Sequence, residues 1–140
     1  MITSVPNEYL SMVWDSAGPL LEKIEEHSSE NYTAKEIFNA ILRGEQQLWI
    51  YIENKDEMIG AWTTRVFEVP GKRIVEICSI GGNGMNRDRV EEVLVSMENF
   101  GKNHGCSMAQ ITGRRGWKRV LSPFGYEERS VVLEKEIDHG

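Results

Sequence analysis

Cysteine and histidine are scarce in this sequence, and neither forms a useful pattern. Cys78 and Cys106 are the only cysteines, and His27, His104 and His139 stand far apart. A zinc or other structural metal site needs convergent ligands at short spacings, so metal binding is not expected, and two reduced, largely buried thiols are. Long apolar runs are missing too: none approaches the ~20 residues that span a bilayer, and the N-terminus lacks the basic-then-apolar order of a secretory leader. The expectation is a protein that stays in the cytosol. Cations are few, with 16 Lys and Arg against 22 Asp and Glu and a formal charge of -6. That balance excludes general attraction to nucleic acid or anionic lipid, which is driven by cationic side chains. One local exception is the cluster of Arg114, Arg115, Lys118 and Arg119 around Trp117. Internal repeats, low-complexity tracts and linkers are also absent.

What is present suits a globule. Hydrophobic residues make up 40% of the 140, charged residues 27%, and aromatics are spread along the chain. This length matches one domain, 1–140, able to bury about two-thirds of the unfolded chain's surface.

Leu10, Val13, Trp14, Ala17, Leu21 and Ile24 follow the spacing of one helix face, with Asn7 as the expected N-cap. Gly18-Pro19 falls inside this run, and because proline removes a backbone donor and clashes with the preceding turn, either a kink or two helices is expected. Thr33 and Glu36 form a capping box for a second helix with Ile37, Ala40 and Ile41 as its core stripe, ending at Gly44. The period then changes. Leu48 to Ile52, Met58 to Val69 and Arg73 to Ile80 read as three strands joined by short turns, hence an antiparallel meander. Gly81 to Gly84 ends the third strand. Val90, Val93, Leu94 and Met97 mark a helix running to about Gly105, and Met108 to Thr112 a short strand. Strand, helix, strand is a crossover unit, which predicts that the strands on either side lie side by side and parallel. Gly113 to Leu121 reads as a short helix carrying an inward Trp117 with Val120 and Leu121, and Tyr126 to Ile137 as a closing extended segment. The class is α/β (α+β), with N-terminal helices and a central mixed sheet.

This element order, together with the pair Gly125-Tyr126 before the last segment, resembles the GNAT superfamily of acetyl-CoA-dependent N-acetyltransferases. The stretch from Gly113 to Leu121, followed by Phe124 to Glu127 and Val131 to Lys135, looks most like acetyltransferase-like proteins encoded by tailed phages. The likeness covers about residues 33 to 137.

The resemblance implies a fold in which acyl-CoA lies between the strands flanking the central helix, its pyrophosphate held by amides of an R/Q-x-x-G-x-G/A turn. Here that turn falls on Met85 to Val90 and has neither glycine. The implied cofactor contacts are Ile80, Gly82 and Gly84 in the preceding loop, with Arg87 and Arg89; a tight turn and solvated arginines are the plainer reading of the same residues. Where many members carry a proton-donating tyrosine, this chain has Leu121. The implied general base is Glu76, which equally suits a strand glutamate facing solvent or paired with Arg73 or Arg65. Cys78, with no histidine near it in sequence, reads as a strand cysteine rather than a nucleophile. Two functions follow from the resemblance: an accessory or virion-assembly protein acting by protein contact, or transfer of acetyl from acetyl-CoA to an amine. Host-directed inhibition by binding is a third. The basic cluster would suit CoA phosphates, a nucleic-acid backbone or an acidic protein surface.

Overall fold

The computed structural model describes residues 1–22, 33–54, 57–112, 116–131 and 133–138. Five strands form one mixed sheet in the order β1-β2-β3-β4-β5, where β1 is Ile2–Val5, β2 Gln47–Glu53, β3 Glu57–Val69, β4 Lys72–Gly82 and β5 Met108–Ile111. The first four pair antiparallel, and β4 pairs β5 in parallel from Ile74 opposite Met108 to Ile77 opposite Ile111. The crossover expected from the sequence is therefore present. The helices are α1 (Leu10–Glu22), α2 (Ala34–Leu42), α3 (Arg87–Asn103) and α4 (Gly116–Leu121).

The sheet separates two apolar clusters. On one face α1 and α2 bring Leu10, Leu21, Ile37 and Ile41 onto Leu48, Ile50 and Ala61. On the other, α3 and α4 bring Val93, Leu94, Met97 and Leu121 onto Tyr51, Trp62, Val75 and Ile77. At Gly101, α3 comes so close to the sheet that an added Cβ would lie 2.5 Å from Val75 Cγ1. The Thr33 capping box forms in both directions, Thr33 Oγ1 accepting from Glu36 N at 3.1 Å and Glu36 accepting from Thr33 N at 3.3 Å.

Several expectations are corrected. The N-terminal strand β1 is an addition: Ile2–Val5 pairs with Leu48 to Tyr51, a partner more than forty positions away that no local pattern announces. Asn7 does not cap α1; it opens a short 3-10 turn, Asn7–Tyr9, and its Nδ2 donates to the Ile41 carbonyl at the end of α2. Of the two forms expected at Gly18-Pro19, the pair of helices is not formed: α1 is one helix containing Pro19, since one hydrogen bond lost in its last turns is offset by burial of Leu20 and Leu21 there. Ile24 lies outside the described residues.

α3 starts at Arg87 with Asn86 as its N-cap. Trp117 is half-buried against the α3 cluster, and Val120, expected to pack inward beside it, is exposed because a six-residue helix turns only Leu121 fully to the core. Both cysteines are partly buried. From Tyr126 onward the described residues form no strand: Val131, Leu133 and Ile137 stand exposed, with no neighbouring edge supplying the hydrogen bonds an extended segment needs.

Candidate functional site

β4 and β5 stay together only as far as Ile77 and Ile111, while β4 continues to Gly82 paired on its other side with β3. Cys78 is an extra residue in β4, because Ile77 faces Thr64 and Ser79 faces Thr63. Such a bulge bends the strand and reverses which side chains face which side. Val75 and Ile77 thus point towards α3, as do Ile80 and Gly82 beyond the bulge, whereas Glu76, Ser79 and Gly81 point towards α1. Beyond Ile77, no strand among the described residues pairs with the second edge of β4. This opening is where the resemblance to the GNAT superfamily implies an acyl-CoA.

At its base lies Glu76, 4% exposed. Arg65 Nε donates to its Oε1 at 2.7 Å; Gln110 Nε2 and Thr112 Oγ1 donate to its Oε2 at 2.6 and 3.1 Å. The Cys78 thiol lies 3.7 Å from Oε1. Three donors from β3, β5 and the residue after β5 hold both carboxylate oxygens, so the geometry ties three strands together. Of the alternatives weighed for Glu76, the pair with Arg65 is formed; Arg73 lies instead near Glu68, at 3.8 Å. Thr63, beside Ser79 on the same face, is fully buried, and its hydroxyl has no partner among the described residues.

Above the base, the glycines are occupied by the protein itself. A Cβ on Gly81 would sit 2.0 Å from the Leu20 carbonyl oxygen of α1, and one on Gly82 2.7 Å from the Ile59 oxygen and 2.8 Å from Met85 Cγ. Their missing side chains let α1 and the following loop close on β4. Gly84 has φ +72° and makes the turn into α3.

Arg89 is also engaged, forming an ion pair with Glu53 and donating to the Gly84 carbonyl; these contacts hold its guanidinium even further into the charged form than usual. Arg87 is exposed, with its guanidinium 5.6 Å from the centre of the Phe124 ring. Asn86 Oδ1 accepts from Arg89 N at 3.0 Å, filling with an uncharged cap an amide that an anion site leaves open. Asp88, in the same first turn, adds a negative charge. The turn therefore does not fit a pyrophosphate: one amide is taken, one arginine is taken, and a carboxylate stands beside them.

Arg114 and Arg115 lie outside the described residues. Lys118 and Arg119 are exposed, and Lys118 pairs with Glu128 at 3.4 Å. No group of three or more His, Cys, Asp or Glu among the described residues could hold a metal, and no described helix is long and apolar enough to cross a membrane.

Sequence reasoning missed Gln110, Thr112 and Thr63, whose approach to the site depends on the register of β5 and on the bulge. It also missed a groove beside α3, lined by Trp49, Phe100, Asp88, Glu91 and Glu92. The pattern E-E at 91 and 92 on a helix that also carries Asp88 was the one available signal.

No family model and no curated protein matches the chain. Solved structures do. A glucosamine-6-phosphate N-acetyltransferase from Arabidopsis thaliana is 11% identical with a TM-score of 0.70, covering 99% of this chain and 98% of its own. A GNAT family acetyltransferase from Staphylococcus aureus is 15% identical with a TM-score of 0.67, at 98% coverage of both chains. A transcriptional regulator from Bacillus halodurans is 12% identical with a TM-score of 0.70, covering 98% of this chain and 99% of its own. With near-complete coverage at such low identity, what is shared is architecture: this chain has the fold of the GNAT acetyltransferases.

Proposed function

We propose that this chain is a GNAT-fold protein that acts by binding a protein partner and does not take acyl-CoA, and that its setting is that of a tailed-phage accessory or virion-assembly protein. The observation that carries the first half is the first turn of α3, where Asn86 caps Arg89 N, Arg89 is tied to Glu53 and Asp88 adds negative charge. A pyrophosphate brought there meets one occupied amide and one repelling carboxylate. The phage setting rests on the resemblance of residues 113 to 135 alone. A shared fold does not fix an activity, and GNAT-fold neighbours include a protein named for transcriptional regulation.

The test is a thermal-shift and calorimetric titration with acetyl-CoA. A ligand at a hundredfold its dissociation constant adds about 2.7 kcal/mol of stability, so binding of ordinary strength would be plain. No shift and no heat are expected from the wild-type chain. Asn86→Gly combined with Asp88→Ala frees the amide and removes the charge; binding gained by that variant would locate the block in this turn.

One observation favours a second reading, acetyl transfer from acetyl-CoA to an amine: the edge of β4 from Cys78 to Gly82 has no strand beside it among the described residues. A saturable shift with acetyl-CoA in the wild-type protein would establish that reading over the first. Glu76→Gln would then separate a base from a strut, since loss of turnover without loss of fold identifies a base.

A further inference from the structure

α3 packs against the β3-β4-β5 part of the sheet and reaches β2 at Tyr51 and Trp49, where Tyr51 is buried and Trp49 only half-buried. A groove with a cavity volume of about 890 Å3 runs there, between Trp49 on β2 and the outer side of α3. Its floor is aromatic and fixed: the Trp49 indole donates to Thr64 Oγ1 at 2.9 Å, and its ring meets Phe100 edge-on at 5.3 Å and 77°. Its α3 wall carries Asp88, Glu91 and Glu92, all exposed at their outer ends. The Tyr51 hydroxyl donates to Glu92 Oε2 at 2.7 Å and so holds that carboxylate over the sheet.

Among the described residues no lysine or arginine lines the groove; Arg89, on the same helix, is turned to Glu53 and Gly84. Beyond Phe100 a second depression of about 320 Å3 continues past Gln46 and Gln47 to Ser4 and Asn7 on the far side of Trp49. The two depressions meet at Trp49 and Phe100. An indole face attracts a cation through its quadrupole, and the neighbouring carboxylates attract the same cation by charge. The long aliphatic stem of lysine or arginine lies well on an aromatic surface while its head reaches the acids.

We infer that the groove between Trp49 and the acidic face of α3 docks a lysine- or arginine-rich segment of a protein partner, with one cationic side chain laid across Trp49 and held by Glu91 and Glu92. This deepens the partner-binding reading above by naming the chemistry of the partner. The groove shares only Asp88 with the turn tested by acetyl-CoA, and the variants below leave Asp88 in place, so the acetyl-CoA titration and the experiment below can fail independently.

The probe is octalysine, followed by tryptophan fluorescence and calorimetry, with octaglutamate as the control. Saturable binding of octalysine alone is expected, weakening at least tenfold in Glu91→Gln/Glu92→Gln and severalfold in Trp49→Leu. Glu127→Gln/Glu134→Gln removes the same charge from the exposed C-terminal segment and should change affinity less than twofold. If the groove double variant fails to keep the wild-type circular dichroism, Glu91→Gln alone carries the comparison, because Glu91 is exposed and has no bond to Tyr51. Three outcomes overturn the proposal: no saturable binding of octalysine at millimolar concentration, an equal loss in the groove and control variants, or self-association that Lys118→Glu/Arg119→Glu disperses. The last would make the occupant a second copy of this chain.

Discussion

At the scale of single residues, burial of charge and the donors that offset it decide what Glu76 is. A carboxylate that is 4% exposed is tolerable because Arg65, Gln110 and Thr112 all donate to it. Glu76→Ala would leave those donors unmatched; with Arg65 half in solvent the charge part is screened, so a loss of about 2 kcal/mol by urea unfolding is expected. Glu76→Gln keeps an acceptor for Gln110 and Thr112 and should cost less; equal losses would show that charge, not hydrogen bonding, dominates. Tyrosines give a pH signature. Burial first, with Glu98 next, pushes Tyr126 well above its ordinary range, and the hydrogen bond to Glu92, then burial, raises Tyr51. Both folded values lie above the unfolded value of about 10, so the stabilisation is intact below that pH and is lost as pH rises through the raised values. Part of the phenolate absorbance should therefore develop only above the unfolded range, and that part should shrink in Tyr51→Phe and in Tyr126→Phe; no change in either variant would contradict the contacts. The sequence made the pair of Glu76 with Arg65 thinkable, since strands joined by a hairpin bring such residues opposite one another. Gln110 and Thr112 were illegible because they reach Glu76 only through the parallel register of β5.

Elements held by local chemistry were the readable ones. The capping box of α2 is a three-residue relation, and the β2-β3-β4 meander follows from short turns between β-branched runs, so both stand close to where the pattern placed them. β1 was unreadable for the opposite reason: four residues, Ile-Thr-Ser-Val, become a strand only by pairing with Leu48 to Tyr51. The glycines after Ile80 were readable as special and not readable as to why. Gly81 is reserved by α1, whose Leu20 carbonyl fills the space where a Cβ would be. Gly81→Ala must push α1 off the sheet and is expected to cost about 3 kcal/mol or more, the range of severe steric conflicts. Gly105, with φ +75° and nothing within 4 Å, offers the contrast: Gly105→Ala meets only backbone strain, about 1 kcal/mol. Comparable urea midpoints for the two variants would mean that α1 yields easily, and with it the tight closure over β4. At α3, Asn86→Ala removes the cap of Arg89 N and should cost about 1 kcal/mol.

For the whole molecule, the disagreement between pattern and structure lies at the C-terminal end. Val131, Leu133 and Ile137 belong to the segment read from the sequence as extended, yet Leu133 is 91% exposed and the described residues from Tyr126 onward pair with no strand. Both core clusters are built from residues up to Tyr126, whose hydroxyl donates to Glu98 and whose backbone amide donates to Leu121. Stability follows apolar area removed from water, and this segment removes little. Two exposed pairs, Lys118 with Glu128 and Arg129 with Glu127, add little in water. A chain ending at Arg129 should therefore unfold in urea at nearly the midpoint of the full chain, within about 1 kcal/mol, with an unchanged slope because the surface exposed on unfolding is almost the same. A loss above about 2 kcal/mol, with a smaller slope, would show that the apolar residues of this segment are packed in solution after all. It would place residues 130 to 138 against the sheet, and β5, the edge strand of the described sheet, would be the edge to examine first.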